Sequence, residues 1–399
     1  MSREETQKIG ISTATIIGMN AMIGAGIFTA PAAMASHVGP AGIIAYLFVV
    51  VAVWFMAQSI ARLAELFPQE GSFYTYAKVW GGHAVGMLAS GLYMTGLVIA
   101  MGLLSRIAGI YLHDWFPSIP ADKLGMICLW LLVALNMFGV VLSELGQKIL
   151  IICTVFPLIA TTLIAFTHAE WANLTPFAPY GFGNVFKATR IVIFGFFGFE
   201  CATSLFALVE NPSKNVPKAL TYSIIAVGAI YTLFIASIIM ATPAGLLGMS
   251  TKITDIVAAI TPTMPWMVTM IHLSILSAII GTIHSMIWSS SSLMVSLAHR
   301  MHHPAIKRLI TRGILTNRFA LVLIGLGITT CYLTLKNIDL FFFLTALFII
   351  AAFLLSMVSL FTLRSEWKSG QIIKTCIGFG TGLLIFYFAL EGIVFQLLA

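Results

Sequence analysis

The sequence predicts an all-α integral membrane protein of two inverted five-helix repeats, with helices 1 and 6 broken. Three observations lead there. Of 399 residues, 59% are hydrophobic and 9% charged, where a soluble domain carries about 25% charged residues. The apolar residues gather into eleven stretches that approach or exceed the length a bilayer requires, about 20 residues each. Two of these stretches, five spans apart, are interrupted by glycine: Gly18-Met19-Asn20-Ala21-Met22-Ile23-Gly24-Ala25-Gly26-Ile27-Phe28 and Gly195-Phe196-Phe197-Gly198-Phe199.

The elements follow in order. Residues 1–10 are polar and show no cleavable leader, so they are expected to form a cytoplasmic N-terminal segment. Span 1 covers residues 11–35. Gly18, Gly24 and Gly26 fall within nine residues of it, and each Gly costs about 1 kcal/mol relative to Ala in a helix. Backbone freed inside a membrane must find partners in protein, water or a ligand. Spans 2 to 5 fall at 41–63, 84–110, 124–142 and 147–167. Span 6, at 187–209, carries the second break. Spans 7 to 10 fall at 219–242, 266–297, 317–335 and 339–363, and an additional helix 11 at 372–398. The expected division is a first repeat over 11–168 and a second over 187–363, with no separate soluble domain.

Lys and Arg set the orientation. With the N-terminus inside, fifteen of them fall on inner loops and six on outer ones, a positive-inside bias. The net charge of +7 is explained by those short loops, so nucleic acid is not an expected partner. The two breaks lie five spans apart, an odd offset, so the second repeat starts on the opposite side of the membrane. An odd number of spans puts the C-terminus outside.

Interrupted segments at matching positions of two inverted repeats point to a binding site. In span 1, Ala25 and Gly26 open the second half-helix, whose free N–H groups and positive dipole end favour a carboxylate. The carbonyls of Met22 and Ile23 end the first half and can accept from an ammonium. A zwitterionic amino acid fits without any charged side chain. Close helix packing through small residues is the rival explanation for one such segment; a matching break in span 6 weakens it. Glu200 follows that second break in an otherwise apolar stretch, Ile191 to Val209. A buried carboxylate costs several kcal/mol unless paired or protonated, which makes Glu200 a candidate proton-linked gate. Phe194 and Phe197 flank the break and are placed to pack over a substrate; ordinary core packing explains them equally well.

Other constellations are weaker. Cys128, Cys153, Cys201, Cys331 and Cys376 all lie in apolar stretches, without disulfide or metal spacing, and read as membrane packing. His299, His302 and His303 have metal-like spacing, but Arg300, Lys307, Arg308 and Arg312 around them favour a basic inner loop meeting anionic lipid. Ser289 to Ser292 offers hydroxyls of the kind a cation site uses, though local packing is the commoner role. Arg62 and Glu65 read as a helix-surface ion pair. No nucleophile–base, metal or paired-aspartate constellation argues for an intramembrane enzyme, and no cofactor or metal is expected.

Four stretches together resemble the amino acid–polyamine–organocation (APC) superfamily of permeases, in particular its basic amino acid/polyamine antiporter branch with the arginine/agmatine antiporters. They are Met22-Ile23-Gly24-Ala25-Gly26-Ile27-Phe28 with Pro31; Ala64-Glu65-Leu66-Phe67-Pro68 through Gly71-Ser72-Phe73-Tyr74-Thr75-Tyr76-Ala77; Gly198-Phe199-Glu200; and Glu210-Asn211-Pro212-Ser213-Lys214-Asn215-Val216-Pro217. The resemblance implies a five-plus-five inverted-repeat transporter fold and alternating access. By position it places Met22, Ala25, Gly26, Phe194 and Phe197 at the substrate site, with Ile23 and Gly198 beside them. It makes Glu200 a gating or proton-linked carboxylate with Tyr93 as partner, and Tyr74 a cytoplasmic-side gating tyrosine. Packing explains each tyrosine equally well.

Departures bear on the substrate. Phe194 stands where the antiporters have tryptophan, Met101 aligns with an asparagine, and Met286 replaces a tryptophan that Trp288 adjoins. These changes remove groups suited to a guanidinium. Thr154 aligns with a lysine of some proton-coupled relatives, as in the exchangers. The expected function is a secondary active transporter, permease or exchanger, for amino acids or related amines in the plasma membrane. Proton-coupled uptake of a small neutral amino acid is the alternative, and a non-transporting sensor the remote one. The expected partners are that small molecule and membrane lipid; a homodimer stays open.

Overall fold

The structure is a computed structural model that describes residues 8–24, 26–35, 37–68, 72–138, 144–200, 209–243, 246, 252–363 and 369–398. The described residues form fourteen α-helices and no sheet; the one β-bridge pairs Ile9 with Val209. In chain order the helices are α1 (Ile11–Met22), α2 (Gly26–Ala35), α3 (Gly42–Leu66), α4 (Ser72–Trp115), α5 (Ala121–Met137), α6 (Glu144–Thr167) and α7 (Phe182–Val192). They continue as α8 (Pro212–Ala241), α9 (Ile253–Ile260), α10 (Pro265–Arg300), α11 (Pro304–Thr311), α12 (Asn317–Thr334), α13 (Ile338–Thr362) and α14 (Gln371–Leu398).

Among the described residues eight helices are long and apolar enough to cross a bilayer: α3, α4, α6, α8, α10, α12, α13 and α14. The other three expected spans are the two broken ones and α5, whose 17 residues end beside residues outside the description. Local sequence sets several boundaries. Proline opens α10 and α8, at a position where its missing N–H leaves no intrahelical bond unmade. Side-chain oxygens of Thr316 and Asn337 cap α12 and α13, accepting from Phe319 N at 3.2 Å and Asp339 N at 2.8 Å. Helix α4 starts twelve residues before its expected span and bends at Gly82, where φ is 70°.

Packing is paired in the way two copies of one unit require. Helix α4 runs along α13 as α10 runs along α6. Helix α1 packs on α8 as α7 packs on α3, α6 on α8 as α13 on α3, and α5 on α4 as α12 on α10. The additional helix α14 lies against α13, α3 and α7. Arg190 fastens it by donating from Nη1 to the Phe388 carbonyl at 2.9 Å, and Lys187 pairs with Glu391 at 2.9 Å.

Two readings change. Of the cysteines, Cys128 is buried between helices, but Cys153 and Cys376 are exposed on the outer surface of the bundle; Cys201 lies outside the described residues. Arg62 and Glu65 pair at 2.6 Å, yet their side chains are only 10% and 17% exposed, so the pair lies mostly within the fold.

Candidate functional site

The site begins with two interruptions. Helix α1 stops at Met22; the Ile23 N–H still reaches the Met19 carbonyl, and Gly24 N turns back to the Met22 carbonyl at 2.9 Å. Helix α2 resumes at Gly26. Ala25, expected to open it, lies outside the described residues. On the other side α7 stops at Val192 and a 3-10 turn carries the chain through Phe196. Phe197 is then extended, and Gly198 takes φ 107°, a conformation L side chains rarely adopt. Helical hydrogen bonding therefore lapses in both segments.

The two interruptions interlock. A Cβ on Gly26 would sit 2.8 Å from the Gly195 Cα, and a Cβ on Gly198 would overlap the Ala21 carbonyl oxygen. Only glycine permits backbone to approach backbone this closely. Tyr231 of α8 braces the junction: its hydroxyl donates to the Met22 carbonyl at 3.1 Å, and its ring meets Phe196 edge-on at 5.4 Å. The Met22 carbonyl was expected to serve a substrate ammonium. It already accepts from Tyr231 and from Gly24 N.

A cavity opens where the breaks meet. Ala21, Met22, Gly24 and Gly26 form its span 1 wall, and Phe194 and Phe197 its span 6 wall. Ala100 and Leu104 of α4, Thr282 and Met286 of α10, and Ile349 of α13 close it. The room for a water-sized sphere is about 20 Å³, little more than one water needs. An amino acid enters only if the walls part. Ile23 and Gly198, expected at the substrate, lie off the wall; Gly198 acts one layer back, against Ala21. Met101 is also off the wall, because the face of α4 that meets the cavity is Ala100 and Leu104, one turn apart. Trp288 is half exposed and away from it, whereas Met286 lines it.

Among the described residues, Thr282 carries the one polar side chain of the wall. It is 6% exposed, and its hydroxyl has no hydrogen-bond partner among the described residues. A Cβ on Gly24 would stand 3.1 Å from that hydroxyl, so it faces the span 1 break. The serine run Ser289 to Ser292, read from sequence as more often packing than a cation site, is not on the wall: Ser291 bonds back to the Trp288 carbonyl, and Ser290 is buried elsewhere.

Glu200 lies behind the cavity. Tyr93 donates to its Oε1 at 2.6 Å and the Gly198 N–H to its Oε2 at 3.0 Å. Phe73 stacks on Tyr93 at 4.2 Å and on Phe353 at 5.4 Å, and Phe199 packs on Phe353 at 5.1 Å. This aromatic layer covers the pair. Tyr93 precedes Ala100 by seven residues on α4, a separation of about 10 Å along the helix. Nearer the start of α4, buried Tyr74 hydrogen-bonds His83 Nδ1 at 2.9 Å, and the Arg300 guanidinium lies 4.5 Å over its ring.

The histidines before Pro304 part company. His299 Nδ1 contacts the Val295 carbonyl, His302 lies beside His83, and His303 caps α11. Among the described residues no group of three His, Cys, Asp or Glu side chains is placed to hold a metal. Sequence reasoning missed Thr282, Tyr231, Ala100, Leu104 and Ile349. The only advance signal was that a tyrosine within an apolar helix, such as Tyr231, needs a partner for its hydroxyl.

Comparison with known proteins agrees with this architecture. A family model described as "Amino acid permease" matches residues 13–398. The chain is 25% identical over 316 residues to the gamma-aminobutyric acid permease of Escherichia coli K12, covering 75% of this chain and 67% of that protein. It is 26% identical over 245 residues to the branched-chain amino acid permease BcaP of Bacillus subtilis 168, covering 56% and 53%. It is 28% identical over 222 residues to the lysine-specific permease LysP of Escherichia coli K12, covering 51% and 45%. The chain thus spans between about half and two thirds of the length of these curated relatives. With the matched region taking in both interlocked breaks and the cavity between them, this chain belongs to the amino acid permease family.

Proposed function

We propose that the protein is a secondary transporter that carries an amino acid or a related amine across the plasma membrane by alternating access. One observation carries this reading: two mid-span breaks meet backbone to backbone around a narrow cavity. A cavity with room for about one water cannot exchange an amino acid until its walls separate, and paired five-helix units are what separate. The units are residues 11–168 and 187–363, with the N-terminus cytoplasmic as the fifteen-to-six charge bias favours. That orientation puts Tyr74, Arg300 and the Glu200–Tyr93 layer on the cytoplasmic side of the cavity.

Met22, Ala25, Gly26, Phe194 and Phe197 contact substrate in this reading, and Glu200 gates it through Tyr93. Kinship with the antiporter branch rests on the order of the four motifs, and it favours exchange of one solute for another. The second reading, proton-coupled uptake, draws on Glu200, an acid buried beside the cavity with both oxygens hydrogen-bonded. Proteoliposomes loaded with unlabelled amino acids test the function: labelled substrate should accumulate by counterflow. Flux that needs only an inward proton gradient would favour uptake over exchange. Absence of counterflow and of gradient-driven flux for every amino acid and amine would sink both.

A further inference from the structure

We propose that the cavity selects a neutral α-amino acid with a short aliphatic side chain, and that Thr282 is the residue that fixes its zwitterionic head. The inference rests on the transport reading above. Its substance lies in what the wall offers. Among the described residues no charged side chain lines the cavity, and Thr282 supplies the only polar side chain. A lysine, arginine or agmatine side chain would bring a desolvated cation to a wall without a carboxylate. Glu200 does not answer for one, since it lies off the wall with Oε1 held by Tyr93 and Oε2 by Gly198. An acidic side chain is disfavoured for the complementary reason, because no Lys or Arg among the described residues reaches the wall.

The polar partners are all at one end. Gly24, Gly26 and Thr282 cluster at the span 1 break, where α2 begins with N–H groups that have no partner within the helix itself. The Thr282 hydroxyl is buried, without a partner among the described residues, and faces Gly24. A buried hydroxyl is costly to leave unmade, and a substrate head completes it. Partners this close together serve an ammonium and a carboxylate on neighbouring atoms, as in an α-amino acid. They do not serve charges held several carbons apart, as in an ω-amino acid. The rest of the wall is Ala100, Leu104, Met286 and Ile349, with the Phe194 ring beside Gly26, a surface for a small branched hydrocarbon.

The test is competition of labelled alanine counterflow in proteoliposomes by alanine, valine, leucine, lysine, arginine, agmatine, glutamate and γ-aminobutyrate. The neutral α-amino acids should compete at least tenfold more effectively than the others. Should labelled lysine, arginine, agmatine or γ-aminobutyrate instead be carried as well as alanine or better, the substrate class is wrong and transport itself stands. If none of these compounds, tested as labelled substrate, gives flux, the transport reading goes and the inference with it. Thr282→Val keeps shape and removes the hydroxyl; it should raise the KM for alanine tenfold or more, and Thr282→Ser should restore it. A Thr282→Val protein with unchanged KM overturns the head-group role. A Thr282→Ser protein as impaired as Thr282→Val also overturns it, pointing to packing by the methyl group.

Discussion

The Cα of Gly195 lies 2.8 Å from the point where a side chain on Gly26 would begin, so the two broken spans meet with no side chain between them. A valine at Gly26 must push the span 6 turn away, and Phe194 with it, whose ring edge stands 3.1 Å from the same point. Overpacking of this kind costs about 1–3 kcal/mol. Gly26→Val should reduce substrate affinity by at least tenfold while the protein remains monodisperse in detergent. Equilibrium binding decides it; wild-type affinity would detach the substrate carboxylate from the start of α2.

Tyr93 and Glu200 give the second prediction. Glu200→Gln keeps the shape of the acid and removes its charge, and it should flatten the pH dependence of exchange while leaving binding measurable. Tyr93→Phe withdraws the 2.6 Å hydrogen bond from Glu200 Oε1, a loss of about 1–3 kcal/mol. The double variant should be less impaired than the sum of the two, because residues that share a hydrogen bond do not add. Exchange measured across pH 5 to 9 checks both; a Glu200→Gln profile identical to wild type takes the coupling role away from Glu200.

How far the residues themselves disclosed this site depends on where their partners lie in the chain. The breaks were legible because glycine, in a bilayer, leaves a local mark on the helix that carries it. Glu200 was legible because an acid in an apolar stretch demands a partner. Tyr93 came from family resemblance, not from its own surroundings in sequence. Thr282 looked like any threonine in an isoleucine-rich helix. Its meaning depends on Gly24, far away in sequence and on another span. The Met22 carbonyl was misread for the same reason: its partner, Tyr231, is 209 residues distant. Ile23 and Met101 were each placed on the wrong face, since a broken or long helix presents a face set by its tertiary neighbours. The serine run at 289–292 drew attention by composition, while the hydroxyl that lines the cavity stands two turns earlier.

Tyr231 supports the third prediction. Tyr231→Phe retains the contacts with Phe196 and Tyr46 but withdraws the hydroxyl from the Met22 carbonyl. That carbonyl keeps Gly24 N, so the expected loss is that of one neutral hydrogen bond, about 1 kcal/mol, and a KM raised several-fold. Tyr231→Ala removes a fully buried ring and should cost about 3–5 kcal/mol of stability. Thermal unfolding in detergent and KM from counterflow check the pair. Equal effects of the two substitutions would mean that the ring contributes nothing beyond its hydroxyl.

The last prediction concerns Tyr74, held from two directions. Its hydroxyl bonds His83 Nδ1 at 2.9 Å, and the Arg300 guanidinium covers its ring at 4.5 Å, joining the start of α4 to the end of α10. Cation–π contact is worth about 0.5–1 kcal/mol at exposed sites and about 2 kcal/mol when desolvated, and it depends on the ring, not the hydroxyl. Tyr74→Phe therefore preserves the Arg300 contact, while Tyr74→Leu removes both contacts. If these contacts hold the cytoplasmic route shut, Tyr74→Phe should exchange within about threefold of wild type. Tyr74→Leu should lose about tenfold, as should Arg300→Met, which removes the cation from the other side. Maleimide labelling of a cysteine placed at Ala100, added from the cytoplasmic face, should be faster in Tyr74→Leu and Arg300→Met than in Tyr74→Phe. Labelling that is equally slow in all three would show that the seal lies deeper, at Phe73, Tyr93 and Phe353, and that Tyr74 only packs.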